Sequence, residues 1–191
     1  IFDIVVASVI LAAIWPLLLL IALAIKLEDS GGPILFSQTR CGVNLAPFRV
    51  HKFRSMRVAS SQTTFEPHAT ANDPRVTRVG RLLRRTSLDE LPQFFNVLKG
   101  DMSIVGPRPH ALSHDEHYRT EVRRYVGRHK VPPGVTGWAQ INGLRGEIIT
   151  NDDMQKRIEH DLHYIRNWTP ALDLKIILMT VPRMLHDPKA Y

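Results

Sequence analysis

The sequence has very little cysteine, and one long stretch of it has no charge. Cys41 is the single cysteine among 191 residues, which excludes an intramolecular disulfide scaffold and is typical of a reducing compartment. Residues 4–25 contain no charged side chain, and all 25 lysines and arginines lie from Lys26 onward. The net charge of +7 therefore belongs to a basic globule that follows an apolar segment. Its partners are expected to be anionic: a membrane surface, phosphates or nucleic acid.

Several common site motifs are also missing. The sequence contains neither GxGxxG nor GxxxxGK[ST], so it indicates no dinucleotide-binding fold and no P-loop. No nucleic-acid-binding module is recognisable, and we expect no nucleic-acid partner. His110, His114 and His117 have helical spacing, but no HExxH or Cys/His ligand pattern accompanies them. A solvated helix surface is therefore favoured over a zinc site.

The uncharged segment is long enough to cross a membrane. As a straight helix, its 22 residues would extend ~33 Å. A signal peptide does not fit, because Asp3 precedes the segment and residues 26–29 (KLED) do not resemble a cleavage site. Pro16 removes one backbone hydrogen bond and predicts a kink or break. Two structures remain: a kinked span, which the length favours, and two half-helices that enter and leave by the same face.

The rest of the chain is predicted to be mostly α with a little β, a small α/β-like globule. Two strand-like segments come first, at residues 34–40 and 47–56. Residues 57–73 are polar and aperiodic and are predicted to form a loop, as are the proline- and glycine-rich residues 131–147. Helical patterns follow at 76–86, 89–99, 110–130, 151–167 and 171–186.

The strongest chemical signal is a carboxylate pair beside an arginine cluster. Asp89 and Glu90 are adjacent, directly after the predicted helix 76–86. One interpretation is local, since Ser87 and Glu90 have capping-box spacing. The other is phosphate chemistry, in which arginines bind phosphate oxygens, one carboxylate holds a divalent metal and the other attacks phosphorus. The arginines line one helical face; they are Arg78, Arg81, Arg84 and Arg85.

Two further basic motifs support a phosphate-rich ligand. Lys52 and Arg54 alternate with Phe53 in a predicted strand, which places both cations on one face. That face could equally be an ordinary solvated one. Arg108 lies between Pro107 and Pro109, whose fixed φ angles would restrict its backbone. This motif indicates either a preorganised cation or a plain rigid turn.

Together, the motifs resemble the bacterial monotopic polyprenyl-phosphate phosphoglycosyl transferases, the bacterial sugar transferase family. The resemblance covers nearly the whole chain, with several blocks of six or more residues in fixed order. The blocks are Phe2-Asp3 before the apolar helix, QTRCG at 38–42, KFRSM at 52–56, TSLDELPQ at 86–93, NVLKGDMS at 96–103, GPRP at 106–109, PGVTG at 133–137 and WAQING at 138–143. The RGE at 145–147 and RNW at 166–168 most resemble the undecaprenyl-phosphate glucose phosphotransferases of exopolysaccharide pathways.

The resemblance implies an enzyme that transfers a sugar 1-phosphate from a UDP-sugar to undecaprenyl phosphate and releases UMP. It implies that Asp89 is the nucleophile, that Glu90 engages Mg²⁺, and that the sugar is glucose. The reaction would pass through a covalent phosphosugar–Asp89 intermediate. The residues expected to bind substrate or phosphate are Lys52, Arg54, Arg84, Arg85, Arg108, Gln140 and Arg145. Two alternatives remain: a membrane-tethered lipid-binding module, and a glycosyltransferase that releases UDP.

The resemblance also implies a topology. The family's helix breaks at a Ser-Pro pair and returns to the cytoplasmic face, and Trp15-Pro16 stands at that position here. We therefore expect a re-entrant helix at 1–27 and a catalytic domain at 28–191 on the cytoplasmic face of the bacterial inner membrane. Amphipathic helices, including 171–186, would lie in the lipid interface. Because the chain starts at Ile1, it is interpreted as part of a larger protein, and a homodimer is plausible.

Overall fold

The computed structural model of the protein describes residues 1–57, 73–146 and 150–186. Within these ranges the chain is mostly helical with a little strand, as predicted. The predicted loop at 57–73 lies almost entirely outside the described residues. The helices are α1 Phe2–Glu28, α2 Arg78–Thr86, α3 Gln93–Lys99, α4 Leu112–Glu121, α5 Trp138–Ile141, α6 Asn151–Arg166 and α7 Pro170–His186; the strands are β1 Leu35–Cys41, β2 Pro47–Phe53, β3 Ser103–Val105 and β4 Gly134–Thr136.

Helix α1 has the length and composition of a membrane helix. It continues through Pro16, so the predicted division into two separate half-helices is not seen. Most of its apolar side chains are exposed, including Val9, Trp15 and Leu20. A soluble helix does not leave so much apolar surface uncovered, and a membrane association is therefore indicated.

Both ends of α1 contact the globule that follows. Near the N-terminus, the Asp3 carboxylate accepts a hydrogen bond from the Ile104 amide at 3.3 Å. At the other end, the Glu28 carboxylate accepts hydrogen bonds from the amides of Arg78 and Val79 at 2.6 and 2.9 Å. The two ends of a helix about 40 Å long are thus attached to one folded body.

Two small sheets organise the loops around the site. Strands β1 and β2 form an antiparallel hairpin whose register runs from Leu35↔Phe53 to Cys41↔Pro47. Strands β3 and β4 pair in parallel. Strand β4 lies within the segment predicted as a loop, and β3 lies in a segment for which no element was predicted. Their pairing requires close backbone approach, since a Cβ on Gly134 would lie 2.1 Å from the Gly106 nitrogen. Three-residue strands flanked by glycine and proline carry no period-2 signal, so the sequence does not predict them.

The predicted helix at 110–130 is interrupted. Helix α4 ends at Glu121, and Arg124 adopts a left-handed backbone with φ 64°. A 3₁₀ helix, Tyr125–Lys130, follows. The break allows Tyr125 to turn into a core against α6, where Met154 and Ile158 are fully buried.

Helix α7 is apolar on both sides. Ile176 is fully buried in the main core. Leu174, Leu178 and Val181 are each more than half exposed. Core packing therefore accounts for one face of α7 and leaves the other uncovered.

Candidate active site

The two adjacent carboxylates lie on a tight turn between α2 and α3. Ser87 ends α2 in a left-handed conformation with φ 59°, and its amide bonds the carbonyls of the last turn. Leu88–Glu90 then form a single 3₁₀ turn before α3. The Ser87 hydroxyl makes no capping hydrogen bond and is buried without a hydrogen-bond partner among the described residues. The capping-box interpretation is therefore wrong, because Glu90 turns inward instead of bonding the Ser87 amide.

Glu90 is buried at the centre of a cation cluster. Its Oε1 accepts from Lys52 Nζ at 2.8 Å. Arg108 donates to both carboxylate oxygens, with 3.0 Å to Oε2. Arg145 approaches Oε2 at 3.8 Å. Burial alone would raise the pKa of Glu90, but Arg108 and Lys52 hold it well below its usual range.

Asp89 differs from its neighbour in its contacts. Its carboxylate takes no hydrogen bond or ion pair within the described part of the chain, and it is half buried. Burial and the negative charge of Glu90 raise the pKa of Asp89 to about 6, although Lys52, Arg145 and Arg108 oppose that rise. The cluster thus places a carboxylate held by cations, Glu90, beside a half-buried one, Asp89.

The proline-flanked segment that carries Arg108 is held by its neighbours. The Pro107 carbonyl accepts a hydrogen bond from the Gly134 amide at 2.9 Å. The Arg108 carbonyl accepts one from the guanidinium of Arg128. The segment is therefore fixed by β4 and by the 3₁₀ helix Tyr125–Lys130, which favours the preorganised-cation interpretation of the motif.

Two of the predicted binding residues have other partners. Arg54 is buried in an ion pair with Asp29 at 2.7 Å, beyond the end of α1. Strand β2 ends at Phe53, so Arg54 does not follow the predicted alternation and lies apart from Lys52 and Glu90. The Gln140 amide donates to the Val135 carbonyl at 3.3 Å. Neither contact supports phosphate binding.

The two α2 arginines that were predicted to bind phosphate, Arg84 and Arg85, also lie outside the carboxylate cluster. Arg84 donates to the Met56 sulfur at 3.6 Å. Arg85 is exposed on the helix surface. Of the seven predicted binding residues, the structure gathers three around Glu90: Lys52, Arg108 and Arg145.

One residue near the site was not among the predicted binders. Arg40 donates to the Pro109 carbonyl at 3.3 Å and so lies against the Arg108 segment. Burial and the charge of Arg108 lower the pKa of Arg40 to about 10. The motif at 38–42 contained this arginine, but nothing in the motif predicted that Arg40 would contact the Arg108 segment.

The three histidines do not form a metal site. His110 is buried, and its Nδ1 lies 2.8 Å from both the Tyr125 hydroxyl and Arg128. His117 is exposed on α4. No group of three or more histidine, cysteine or acidic side chains suited to a metal occurs in the residues that the structure describes.

Comparison with known protein families identifies the family of the chain. The model of the bacterial sugar transferases matches residues 1–187. The chain belongs to the bacterial sugar transferase family. The blocks that carried the resemblance include TSLDELPQ and GPRP, which contribute Asp89, Glu90 and Arg108 to the cluster. The family prediction is confirmed.

Curated relatives carry closely similar names. A UDP-glucose:undecaprenyl-phosphate glucose-1-phosphate transferase of Escherichia coli is 57% identical over 189 residues, covering 99% of this chain and 40% of the relative. Proteins of the same name from Xanthomonas campestris pv. campestris and Caulobacter vibrioides are 51% and 50% identical; they cover 99% and 100% of this chain, and 39% and 71% of the relatives. The chain spans about 40% of the length of the first two of these relatives.

Proposed function

We propose that this chain transfers a sugar 1-phosphate, glucose 1-phosphate in the first instance, from a UDP-sugar to undecaprenyl phosphate and releases UMP. Family membership and the relatives' names support the reaction and the sugar. The observation that carries the proposal is the contrast between Asp89 and Glu90. A half-buried carboxylate that has no hydrogen-bond partner among the described residues and lies beside three clustered cations is suited to attack on a phosphoanion.

In the proposed reaction a carboxylate oxygen of Asp89 attacks the sugar-bearing β-phosphorus. A bond forms between that oxygen and phosphorus, the bond from phosphorus to the UMP oxygen breaks, and UMP leaves with the electron pair. The phosphate oxygen of undecaprenyl phosphate then attacks the same phosphorus and releases the Asp89 carboxylate. Lys52, Arg108 and Arg145 offset the negative charge of the phosphoryl oxygens. Two steps allow one substrate to arrive from water and the other from the bilayer.

We propose that Glu90 would supply a ligand oxygen to Mg²⁺ beside the cations that already contact its carboxylate. Carboxylate oxygens are the ligands that Mg²⁺ prefers, usually one or two from the protein, completed by substrate phosphates and water. Oε2 of Glu90 accepts one hydrogen bond from Arg108, while Arg145 stays at 3.8 Å, so this oxygen keeps a lone pair for a cation. Bound there, Mg²⁺ would supply charge neutralisation of the diphosphate.

The identity of the released nucleotide tests the proposal. Incubating the membrane-reconstituted protein with UDP-glucose and no acceptor should give UMP and a protein mass increased by one hexose phosphate. UDP as the product would support the glycosyltransferase alternative. Absence of any nucleotide, with salt-sensitive liposome binding that survives Asp89→Asn, would support the lipid-binding module.

The rate should depend on pH through Asp89. Only the ionised carboxylate attacks, so protonation at low pH removes activity. Because the pKa of Asp89 is raised to about 6, kcat/KM for UMP release should fall as pH drops through that region. A pH series on UMP formation checks this. An acid limb near the ordinary aspartate value of about 4 would contradict the proposed nucleophile environment.

We also propose that α1 is re-entrant, in the sense that one unbroken helix keeps both of its ends on the cytoplasmic side of the inner membrane. The contacts of Asp3 and Glu28 support this, since a helix that crossed the bilayer would separate its two ends by the membrane. The exposed face of α7, with Leu174, Leu178 and Val181, would lie in the same interface. A homodimer stays a prediction.

Cysteine labelling separates the two topologies. Phe2 and Ser30 are exposed at opposite ends of α1, and Phe2→Cys and Ser30→Cys can each be treated with a membrane-impermeant maleimide. A re-entrant helix predicts that both are protected in intact spheroplasts and both react in inverted vesicles. Reaction of the two from opposite sides would establish a spanning helix. Buried Cys41 provides the unlabelled background.

A further inference from the structure

Helix α6 contacts the main chain next to Arg145 directly and that of Arg108 through Arg128, and both arginines lie around Glu90. Arg157 donates to the Gly146 carbonyl at 2.8 Å, next to Arg145 in the chain. One turn further along α6, Asp161 accepts from Arg128 at 2.9 and 3.0 Å. Arg128 in turn donates to the Arg108 carbonyl. Side chains four residues apart share a helix face, so one face of α6 reaches both segments.

We propose that α6 is the positioning element of the active site, with Arg157 holding the segment of Arg145 and the Asp161–Arg128 pair holding that of Arg108. The inference rests on the proposed function, because it concerns how the cations of that reaction are aimed. None of the three positioning residues touches Glu90 or Asp89 in a hydrogen bond or ion pair within the described chain.

The burial of these contacts makes them suited to positioning. The side chains of Arg128 and Asp161 are 1% and 2% exposed, and Arg157 is buried as well. The planar guanidinium of Arg128 divides its donors among Asp161, the Arg108 carbonyl and His110 Nδ1 at 2.8 Å. Because the Arg128 guanidinium has three fixed partners, it holds the Arg108 carbonyl in one place, whereas a lysine would offer a single nitrogen.

The geometry matters because the reaction depends on charge placed where it develops. Arg108 and Arg145 both lie against Glu90 and both favour the ionised form of Asp89. A misplacement of about 1 Å at a catalytic group can cost on the order of 10²-fold in rate. Substitutions that keep every charge but loosen these carbonyl contacts should therefore lower turnover.

The test uses Arg128→Lys and Arg157→Lys, which retain charge, and Ile158→Val as the matched control. Ile158 is fully buried on α6 between the two contacts and has no polar link to the site. Each lysine variant should lower kcat for UMP formation about tenfold or more, with KM for UDP-glucose changed far less. Ile158→Val should keep the wild-type kcat even though the smaller side chain lowers Tm. Should Arg128→Lys fail to fold, Asp161→Asn tests the same Asp161–Arg128 contact while keeping an acceptor oxygen for Arg128.

A second measurement separates positioning from general destabilisation. Rates of UMP formation are compared at a temperature well below the Tm of every variant, where each protein is folded. Both lysine variants should keep their lower kcat there, and Ile158→Val should match the wild type.

Two failures are distinguishable. Absence of UMP from the wild-type protein would overturn the proposed function itself. An active wild type, with lysine variants that match Ile158→Val in kcat at that temperature, would overturn the positioning role alone.

Discussion

An Asp89→Asn variant will lose UMP release by at least about 10³-fold, and no hexose-phosphate adduct will form on the protein. The amide that replaces the carboxylate is not a nucleophile at neutral pH. Replacing the carboxylate should leave the fold intact, because Asp89 has no hydrogen-bond or ion-pair partner among the described residues. The measurement is intact mass together with UMP formation from UDP-glucose, at a Tm equal to that of the wild type.

Asp152→Asn is the matched control for this change. Asp152 is an exposed carboxylate in the first turn of α6, and its conversion removes the same charge outside the cluster. Full activity is expected there. Turnover by Asp89→Asn close to that of Asp152→Asn would exclude Asp89 as the nucleophile.

A Glu90→Gln variant should lose both activity and stability. Its carboxylate is the shared anion of Lys52, Arg108 and Arg145, and neutralising it leaves three cations close together at a poorly solvated site. Breaking a buried pair on one side costs roughly 3 kcal/mol. Chemical denaturation should report a loss of that order in the free energy of unfolding, and the Mg²⁺ concentration needed for half-maximal UMP release should rise.

The double variant Glu90→Gln/Lys52→Met separates the two effects. Removing one of the crowded cations should recover part of the lost stability, while activity stays low because the proposed metal ligand is still missing. Recovery of activity along with stability would mean that Glu90 acts only through the fold. An unchanged Mg²⁺ requirement in active Glu90→Gln protein would contradict its role as a metal ligand.

Sequence patterns predicted the elements with strong periodicity or clear end signals. Helix α3 ends at Lys99 and is followed by Gly100 in a left-handed conformation, as expected for a glycine stop. The β1–β2 hairpin occupies the two segments predicted as strands. The paired acids and Arg108 were recognisable because their chemistry is unusual at that spacing, and the structure brings Glu90 and Arg108 within hydrogen-bonding distance of one another.

Other features depend on contacts between residues far apart in the chain. The partner of Arg54 is Asp29, 25 residues earlier, and a strand pattern contains no record of that pair. The parallel β3–β4 contact joins segments about 30 residues apart through glycine backbones. The proposed role of α6 in holding the Arg108 segment depends on Arg128 and Asp161. In the sequence, nothing distinguishes these two residues from a surface ion pair. Their burial, which only the fold reveals, makes them important.

The attachment of both ends of α1 to one globule has a consequence for the bilayer. A helix that starts and finishes on the same face adds apolar volume to one leaflet and leaves the opposite leaflet without a protein cross-section, so it creates lateral pressure on one side only. In the proposed topology, undecaprenyl phosphate approaches and the lipid-linked sugar departs through that same leaflet. In that topology, α1 itself supplies no path for a polar sugar across the hydrocarbon.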